Sequence, residues 1–344
     1  MKYLQHIAWD NGYDTEKIMI DVDEISLFPS VSYIPVSNRN VVLNEDEEIQ
    51  SDKIVIEYEG TEYFLGNYAI TQDGQGGDRN FEIDKFKDNT EVAKLLAGLS
   101  LLSNDDTIEV GKLVSGLSIR DYHALKEELE HFYNDKLFKF KVNGKGRKVI
   151  INDVLCIPQG IGSYYDNILT YSGEVRKNEL LDSRYGLIDI GGNTVDMFIG
   201  EGVEPRKATD FGLNIGLSDV FKNVFPSIPY NKVQYYYLQG KDNIKYGKTT
   251  YTKLQSKVDD KFQTLAEQIY KKVISSWNRM IDDVETIVLT GGGAVTIGDY
   301  LKKKFVNRKN KNVVIVKDPQ VSNVRGYYKL GVYHSKRFDD NEEA

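Results

Sequence analysis

Two short stretches of this 344-residue chain place an aspartate, a glycine and a threonine at the same spacing. One is "DNGYDT" at 10–15 and the other "DIGGNT" at 189–194. Asp10 and Asp189, Gly12 and Gly191, and Thr15 and Thr194 are each 179 positions apart, and the same offset sets Lys17 against Asp196. Each aspartate closes an apolar run, where an unpaired buried carboxylate is costly. Glycine lets backbone approach a ligand without a Cβ in the way. Successive N–H groups in a tight turn form a concavity for anions, and a threonine hydroxyl can donate to a phosphate oxygen. An aspartate beside a phosphate repels it unless a divalent cation stands between, and carboxylate, phosphate and water are the oxygen ligands Mg²⁺ takes. Two such hairpins facing each other would clamp a polyphosphate and its Mg²⁺, with Lys17 on the β- or γ-phosphate. The alternative is two unrelated turns, in which Asp and Gly are common. The shared register argues against it.

A third element is "IVLTGGGA" at 287–294, an apolar strand that delivers Gly291, Gly292 and Gly293 to a helix start. Three consecutive glycines are entropically expensive unless close approach requires them. There the backbone could lie flat against a nucleoside and its α-phosphate, with the helix N-terminus favouring the anion. The plain alternative is a strand-to-helix turn. Competing nucleotide motifs fail. Tyr246-Gly247-Lys248-Thr249 lacks the first P-loop glycine, since Asp242 occupies its place. No G-x-G-x-x-G follows a strand. His6, His123, His131 and His334 have no metal-ligand spacing.

These motifs need strands and helices to hold them. Strands are expected at 4–9 and 17–22, an extended segment at 28–32, and a hairpin from Lys53–Tyr58 and Thr61–Gly66. Val92, Leu95, Leu96, Leu99 and Leu102 give a helix with one apolar face. A strand at 109–114 precedes a helix through Leu129 and Phe132, capped by Ser118 or Asp121. Strands at 138–142 and 148–151 form a hairpin around "NGKG", then come a buried strand at 153–158 and a helix at 161–171. Gly173–Arg184 reads as a polar connector. In the second half helices are expected at 216–225, 259–280, 297–305 and 323–333, with strands at 285–289 and 312–316. The alternation in both halves gives an α/β protein with two similar lobes.

Composition is that of a globular protein, with 40% hydrophobic and 28% charged residues. A net charge of −8 offers no bulk attraction for nucleic acid, so no direct nucleic-acid contact is expected and an adaptor would be needed to serve DNA. No apolar run approaches the ~20 residues of a membrane span, the N-terminus lacks a signal-peptide core, and the polar segment 336–344 reads as frayed and as a poor membrane anchor. The one cysteine, Cys156, lies in an apolar run and reads as a core residue of a cytoplasmic protein.

The motifs together resemble the actin, Hsp70 and sugar-kinase ATPase superfamily, and spacing and length are most similar to the bacterial actin-like proteins of the ParM plasmid-segregation group. "DNGYDTEK" (10–17) matches the first phosphate motif, "LIDIGGNTVDMFI" the second and "VLTGGGA" the adenosine motif. "IPQGIGSYYD" (157–166) resembles the stretch that carries the hydrolytic residue, with Gln159 at a position where many ParM-like proteins have Glu and actin has Gln. "NVRGYYKLG" (323–331) resembles the return from the second lobe to the first.

The resemblance implies an actin-like (ribonuclease H-like) α/β fold, two lobes each with a mixed sheet and helices, and a nucleotide cleft between them. Lobe I would comprise 1–170 plus 325–344 with an insertion at about 28–95. Lobe II would comprise 171–324 with an insertion at about 225–285. It implies ATP or GTP with Mg²⁺, the metal held mostly through water by Asp10 and Asp189. Asn11, Gly12, Tyr13, Lys17, Gly191, Gly192, Asn193 and Thr194 would bind the phosphates. Gly291, Gly292, Gly293 and Ala294 would meet the nucleoside, while Gln159 orients the attacking water. The implied function is a slowly hydrolysing cytoskeletal ATPase that self-associates into filaments and segregates plasmid DNA through a ParR-type adaptor, away from any membrane. The alternative is a small-molecule kinase of the same superfamily, which needs a carboxylate base at its acceptor hydroxyl. A chaperone-like ATPase would need a further peptide-binding domain.

Overall fold

The computed structural model describes residues 1–36, 49–176, 179–202, 204–205 and 211–342. The first lobe carries β1 (Lys2–Asn11), β2 (Thr15–Asp21), β3 (Glu24–Pro29), β4 (Ser32–Tyr33), β5 (Ile54–Tyr58), β6 (Thr61–Leu65), α1 (Gly66–Gln72), α2 (Asn89–Leu102), β7 (Thr107–Leu117), α3 (Ile119–Tyr133), β8 (Lys136–Val142), β9 (Lys145–Pro158) and α4 (Ile161–Ile168). Its nine strands form one sheet in the order β3-β2-β1-β7-β9-β8-β5-β6-β4. β1, β7 and β9 run parallel and the remaining pairs antiparallel.

The second lobe carries α5 (Glu179–Asp182), β10 (Arg184–Ile190), β11 (Val195–Glu201), β12 (Glu204–Pro205), β13 (Phe211–Leu213), α6 (Leu217–Val224), α7 (Tyr230–Leu238), β14 (Ile244–Tyr246), β15 (Thr249–Tyr251), α8 (Leu254–Trp277), β16 (Thr286–Thr290), α9 (Gly292–Lys309) and β17 (Asn312–Ile315), and α10 (Ser322–Glu342) then returns to pack on α4 and β1 of the first lobe. The second-lobe sheet runs β12-β11-β10-β16-β17, with β13 also on β11. The lobes repeat one plan, an antiparallel hairpin (β1–β2, β10–β11) followed by two parallel strands (β7 and β9, β16 and β17). This is the expected class: two similar lobes, each a mixed sheet with helices.

Each lobe has its own apolar core, and a third cluster, including Tyr164, Leu187, Phe198 and Tyr327, lies where α4 and α10 join them. There Gly162 and Gly326 bring the two helices into backbone contact: a Cβ on Gly326 would lie 1.7 Å from the Gly162 carbonyl oxygen. Beside it Asp166 accepts from Arg325, Ser322 and Lys329.

Several elements differ from the sequence reading. The helix expected to show one apolar face, α2, is enclosed on all sides from Glu91 to Ser100. Its charges are neutralised internally, with Lys94 bonding Glu91 at 2.6 Å and Ser30 at 3.0 Å, while Ser30 and Trp9 donate to Glu16. The strands expected at 148–151 and 153–158 are one continuous β9, because Asn152 turns its side chain to Glu109 and the ladder with β7 continues past it. α4 stops at Ile168, short of Tyr171. α8 starts at Leu254, after left-handed Lys253, since Leu254, Val258, Phe262, Leu265, Ile269 and Val273 form one buried stripe. α7 and the β14–β15 hairpin were not expected, and Gly247 of the P-loop-like stretch is the left-handed turn of that hairpin. The tail read as frayed continues α10 to Glu342, with no glycine or proline after Gly331 to end it. The connector contains α5, and its residues 177–178 lie outside the described set. Part of the first insertion, 37–48, also lies outside it. Ser118 caps α3, accepting from the Asp121 amide, and Cys156 is buried.

Candidate functional site

The two hairpin tips face each other. In the first, Asp10 is opposite Lys17 across the ladder, and Lys17 Nζ donates to Asp10 Oδ2 at 2.7 Å. In the second the matching residues are both acids, Asp189 opposite Asp196. Glycine is required at both tips: a Cβ on Gly12 would lie 2.6 Å from Thr15 O, and one on Gly192 would lie 2.3 Å from the Asp14 Cβ of the facing hairpin. Among the described residues the amides of Tyr13 and Asp14 in one tip, and of Gly192 and Asn193 in the other, have no acceptor. These are equivalent positions in the 179-residue register. Tyr13, Asp14 and Gly192 line the cleft, so both tips bring unpaired N–H groups to it, the concavity an anion requires.

The third motif joins them from the end of β16. Gly291 is left-handed (φ +81°), and its Cβ would lie 2.2 Å from Asp189 Oδ1. Gly291 and Gly292 line the cleft, with Val295 and Thr296 on the first turn of α9. Gly293 and Ala294 do not: a Cβ on Gly293 would collide with Ile190, and Ala294 is buried in the lobe II core. Their smallness serves packing of α9 on β10.

Electrostatics set the acids apart. Burial pushes the Asp189 carboxyl up to about 6, the Asp10 charge adds to this, and the Asn323 amide opposes it. Burial and then Asp189 push Asp196 up to about 8, and Asp196 Oδ1 has no hydrogen-bond partner. Burial pulls Lys17 down, but the Asp10 charge and hydrogen bond outweigh it and its pKa is raised. Gln159, just past β9, reaches Asp10 with Nε2 to Oδ1 at 3.4 Å. Asp189 is held by Asn323 Nδ2 at 2.7 Å, and Asn323 Oδ1 in turn accepts from the Ser163 amide and hydroxyl at the start of α4.

The cleft therefore brings together Asp10, Gly12, Tyr13, Lys17, Gln159, Asp189, Gly191, Gly192, Thr194, Gly291 and Gly292. Asn11 is turned away, its Oδ1 accepting from Lys85 Nζ at 2.7 Å, and it faces a small separate cavity behind the hairpin. Asn193 does not line the cleft. Sequence reasoning missed Asp14, Asp196, Gln234, Tyr237, Leu238, Val295, Gln320 and Asn323. Asp196 had a signal, because the 179 offset pairs it with Lys17. Leu238 and Val295 are 69% and 65% exposed, apolar side chains left open at the cleft wall and suited to a flat apolar face.

The donor set fits Mg²⁺. It is all oxygen, acidic and short of counter-charge, with Asp196 Oδ1 orphaned. Among the described residues no three His, Cys, Asp or Glu groups are placed to hold an ion directly.

Comparison with known proteins agrees with this geometry. Residues 8–162 match the family of actin-like protein N-terminal domains. Residues 187–303 match the C-terminal domain of the archaeal actin homologue MreB-like family. No curated protein matches the chain by sequence. An archaeal actin homologue, Ta0583, solved in complex with ADP, superposes with a TM-score of 0.74 at 18% identity, covering 97% of this chain and 99% of that one. A ParM from a 15-stranded Clostridium botulinum filament gives 0.73 at 21% identity, covering 96% and 99%. The actin-like protein Alp7A gives 0.76 at 13% identity, covering 99% of each. Among the described residues no helix is long and apolar enough to cross a membrane. An actin-like protein N-terminal domain over 8–162 and an archaeal MreB-like C-terminal domain over 187–303, set on one actin-like fold with paired hairpins at its cleft, make this chain an actin-like protein in both its lobes.

Proposed function

We propose that this chain is a filament-forming ATPase of the ParM type that binds a nucleoside triphosphate with Mg²⁺ between its lobes. The observation that carries the reading is the facing of two equivalent hairpins, each with two unpaired amides and a buried aspartate. The Tyr13, Asp14, Gly192 and Asn193 amides and Lys17 would bind the phosphates. Asp10 and Asp189, with Asp196 behind, would hold Mg²⁺ through water, and the bound ion would neutralise charge on the β- and γ-phosphates. Gly291 and Gly292 would carry the nucleoside, its base against Leu238 and Val295. Gln159, a neutral amide beside Asp10, would orient the attacking water rather than take its proton, so hydrolysis is slow until the lobes close. Lobe I would comprise 1–170 and 325–344, and lobe II 171–324.

Filament growth, plasmid cargo and a ParR-type adaptor belong to the same proposal, supported by the shared fold and by the net charge of −8, which disfavours direct DNA contact. Light scattering and sedimentation after addition of Mg²⁺-ATP or Mg²⁺-GTP, with Asp189→Ala beside the wild type, test it. Triphosphate-dependent assembly followed by slow phosphate release is the expected result. Binding without assembly at any protein concentration would turn the search to acceptor substrates for a kinase.

A further inference from the structure

The two hairpin tips are equivalent in register, yet their outer sides are braced by different means. In lobe II the carbonyls of Gly191 and Gly192 accept from the Leu217 and Ser218 amides, at 3.4 and 2.7 Å. The N-terminus of α6 therefore holds that tip. The equivalent carbonyls in lobe I, 179 residues earlier, are Gly12 and Tyr13. Among the described residues no helix N-terminus meets them. Gly12 O accepts from Lys85 Nζ at 3.3 Å and Tyr13 O from Arg79 Nη1 at 3.0 Å. Arg79 Nη1 also reaches Asp14 O and the Asp14 carboxylate. In both tips, carbonyls held outward leave the following amides free to face the cleft.

The brace on the first tip is not confined to its lobe. Arg79 Nε donates to Asn231 Oδ1 at 2.7 Å and Nη2 to Gln234 Oε1 at 2.8 Å, both on α7 of lobe II. Gln234 Nε2 returns to the Asp14 carboxylate at 2.8 and 3.0 Å, and Asn231 Nδ2 donates to Gly77 O at 3.0 Å. The Arg79 side chain is 3% exposed. A guanidinium has five donors in a fixed fork, so one residue can hold both sides at once.

We infer that Arg79 is a positioning residue that sets the first phosphate-binding tip only when α7 has closed over it, so that lobe closure and phosphate binding are one event. The inference rests on the proposed nucleotide reading and adds to it the residue that links the lobes. The second tip needs no closure, because its brace lies within its own lobe.

The test compares the affinities of Mg²⁺-ATP, Mg²⁺-ADP and adenosine for the wild type, Arg79→Ala, Arg79→Lys and the double variant Asn231→Ala with Gln234→Ala. Arg79→Ala should weaken both nucleotides about tenfold, the size expected for charge-assisted hydrogen bonds, and leave adenosine within about twofold. Added methylguanidinium should restore part of the loss, and Arg79→Lys should restore little. The double variant, which leaves the lobe I contacts in place, should release nucleotide faster by a similar factor. Equal losses for adenosine and nucleotide would overturn the inference. So would wild-type release from the double variant, since Arg79 would then act within its own lobe alone. Hydrogen exchange in the nucleotide-free protein supplies a readout that needs no ligand. The Gly12 and Ser30 amides, which bond Asp10 O and Asp14 O at this tip, should exchange faster in Arg79→Ala and in the double variant, and unchanged exchange would refute the linkage. A wild-type chain that bound no nucleotide would instead refute the proposed function.

Discussion

Asn323, at the start of α10, donates its side-chain amide to Asp189 Oδ2 at 2.7 Å across the junction of the lobes. The same side chain accepts from Ser163 on α4, so the helices that join the lobes also orient the acid nearest the second tip. Asn323→Ala leaves that carboxylate with burial unopposed by a donor. Triphosphate hydrolysis should fall by about tenfold or more, with nucleotide affinity changed by less than about threefold. Single-turnover hydrolysis and equilibrium binding separate the two. A loss confined to affinity would mean that Asn323 serves the lobe junction and not Asp189.

Gln159→Ala removes an amide that lies 3.4 Å from Asp10. Binding should persist and hydrolysis should slow by about tenfold to a hundredfold. Filaments, if the proposed function holds, should then be longer-lived, and sedimentation over time after a pulse of nucleotide reads this directly. Unchanged phosphate release would remove Gln159 from the mechanism.

The acids of the second hairpin tie stability to pH. Asp189 and Asp196 are pushed up to about 6 and about 8 from a usual value of 3.8, chiefly by burial. The folded chain then keeps protons that the unfolded chain has released, so folding stability falls as pH rises from about 4 to about 8. Asp196→Asn, which carries no charge to bury, should flatten this slope and be the more stable form at the alkaline end. Urea unfolding of the nucleotide-free protein across that range measures it. A wild-type stability that climbed with pH would contradict the burial of these groups.

Lys94 is fully buried between Glu91 and Glu16 beneath the first hairpin. Lys94→Met leaves Glu16 without a cation and Glu91 with Lys85 alone, and should cost about 3–5 kcal/mol in urea unfolding, whereas a surface pair would cost under about 1 kcal/mol. The Glu91 carboxyl meets burial that would raise it, yet Lys85 and Lys94 hold it below its ordinary value. In the variant it should rise.

Gly326→Ala puts a methyl group 1.7 Å from the Gly162 carbonyl oxygen, where no flexible side chain can yield. It should destabilise by about 3 kcal/mol or more. Gly146→Ala, whose Cβ meets nothing within 4 Å, is the control and should stay within about 0.5 kcal/mol. Thermal melting of the pair suffices.

The legible parts of this protein are those in which a local stretch states its own geometry. Asp10-x-Gly12 and Asp189-x-Gly191, with the glycine run at 291, reveal the hairpins, the cleft and the family class, because tight turns and close approach demand particular residues at adjacent positions. The residues that complete the site come from far along the chain. Asn323 is 134 positions from Asp189, and Gln234 is 220 from Asp14. An amide side chain on a helix gives no local sign of what it will face. Gly293 and Ala294 mislead for the opposite reason, since smallness for packing and smallness for a ligand look alike in sequence. Nothing in the sequence sets Lys94 and Glu91 apart on a helix with one expected apolar face, and only the fold that encloses them shows both to be buried.

The nine-stranded sheet of the first lobe runs without a break from the hairpin at Asp10 to the edge at Tyr33, so hydrogen-bonded strands carry its outlying part. In the second lobe the corresponding outlying part, α7 with the small β14–β15 ribbon, shares no strand with the main sheet and is attached by side-chain packing. The two halves of the molecule are therefore mechanically unlike. In the first, tilting the outlying part means bending a continuous hydrogen-bonded sheet, whereas in the second only packed side chains need to shift. In the proposed assembly, load at a subunit contact would therefore pass along the strands of the first lobe, and the second lobe would be the side that yields.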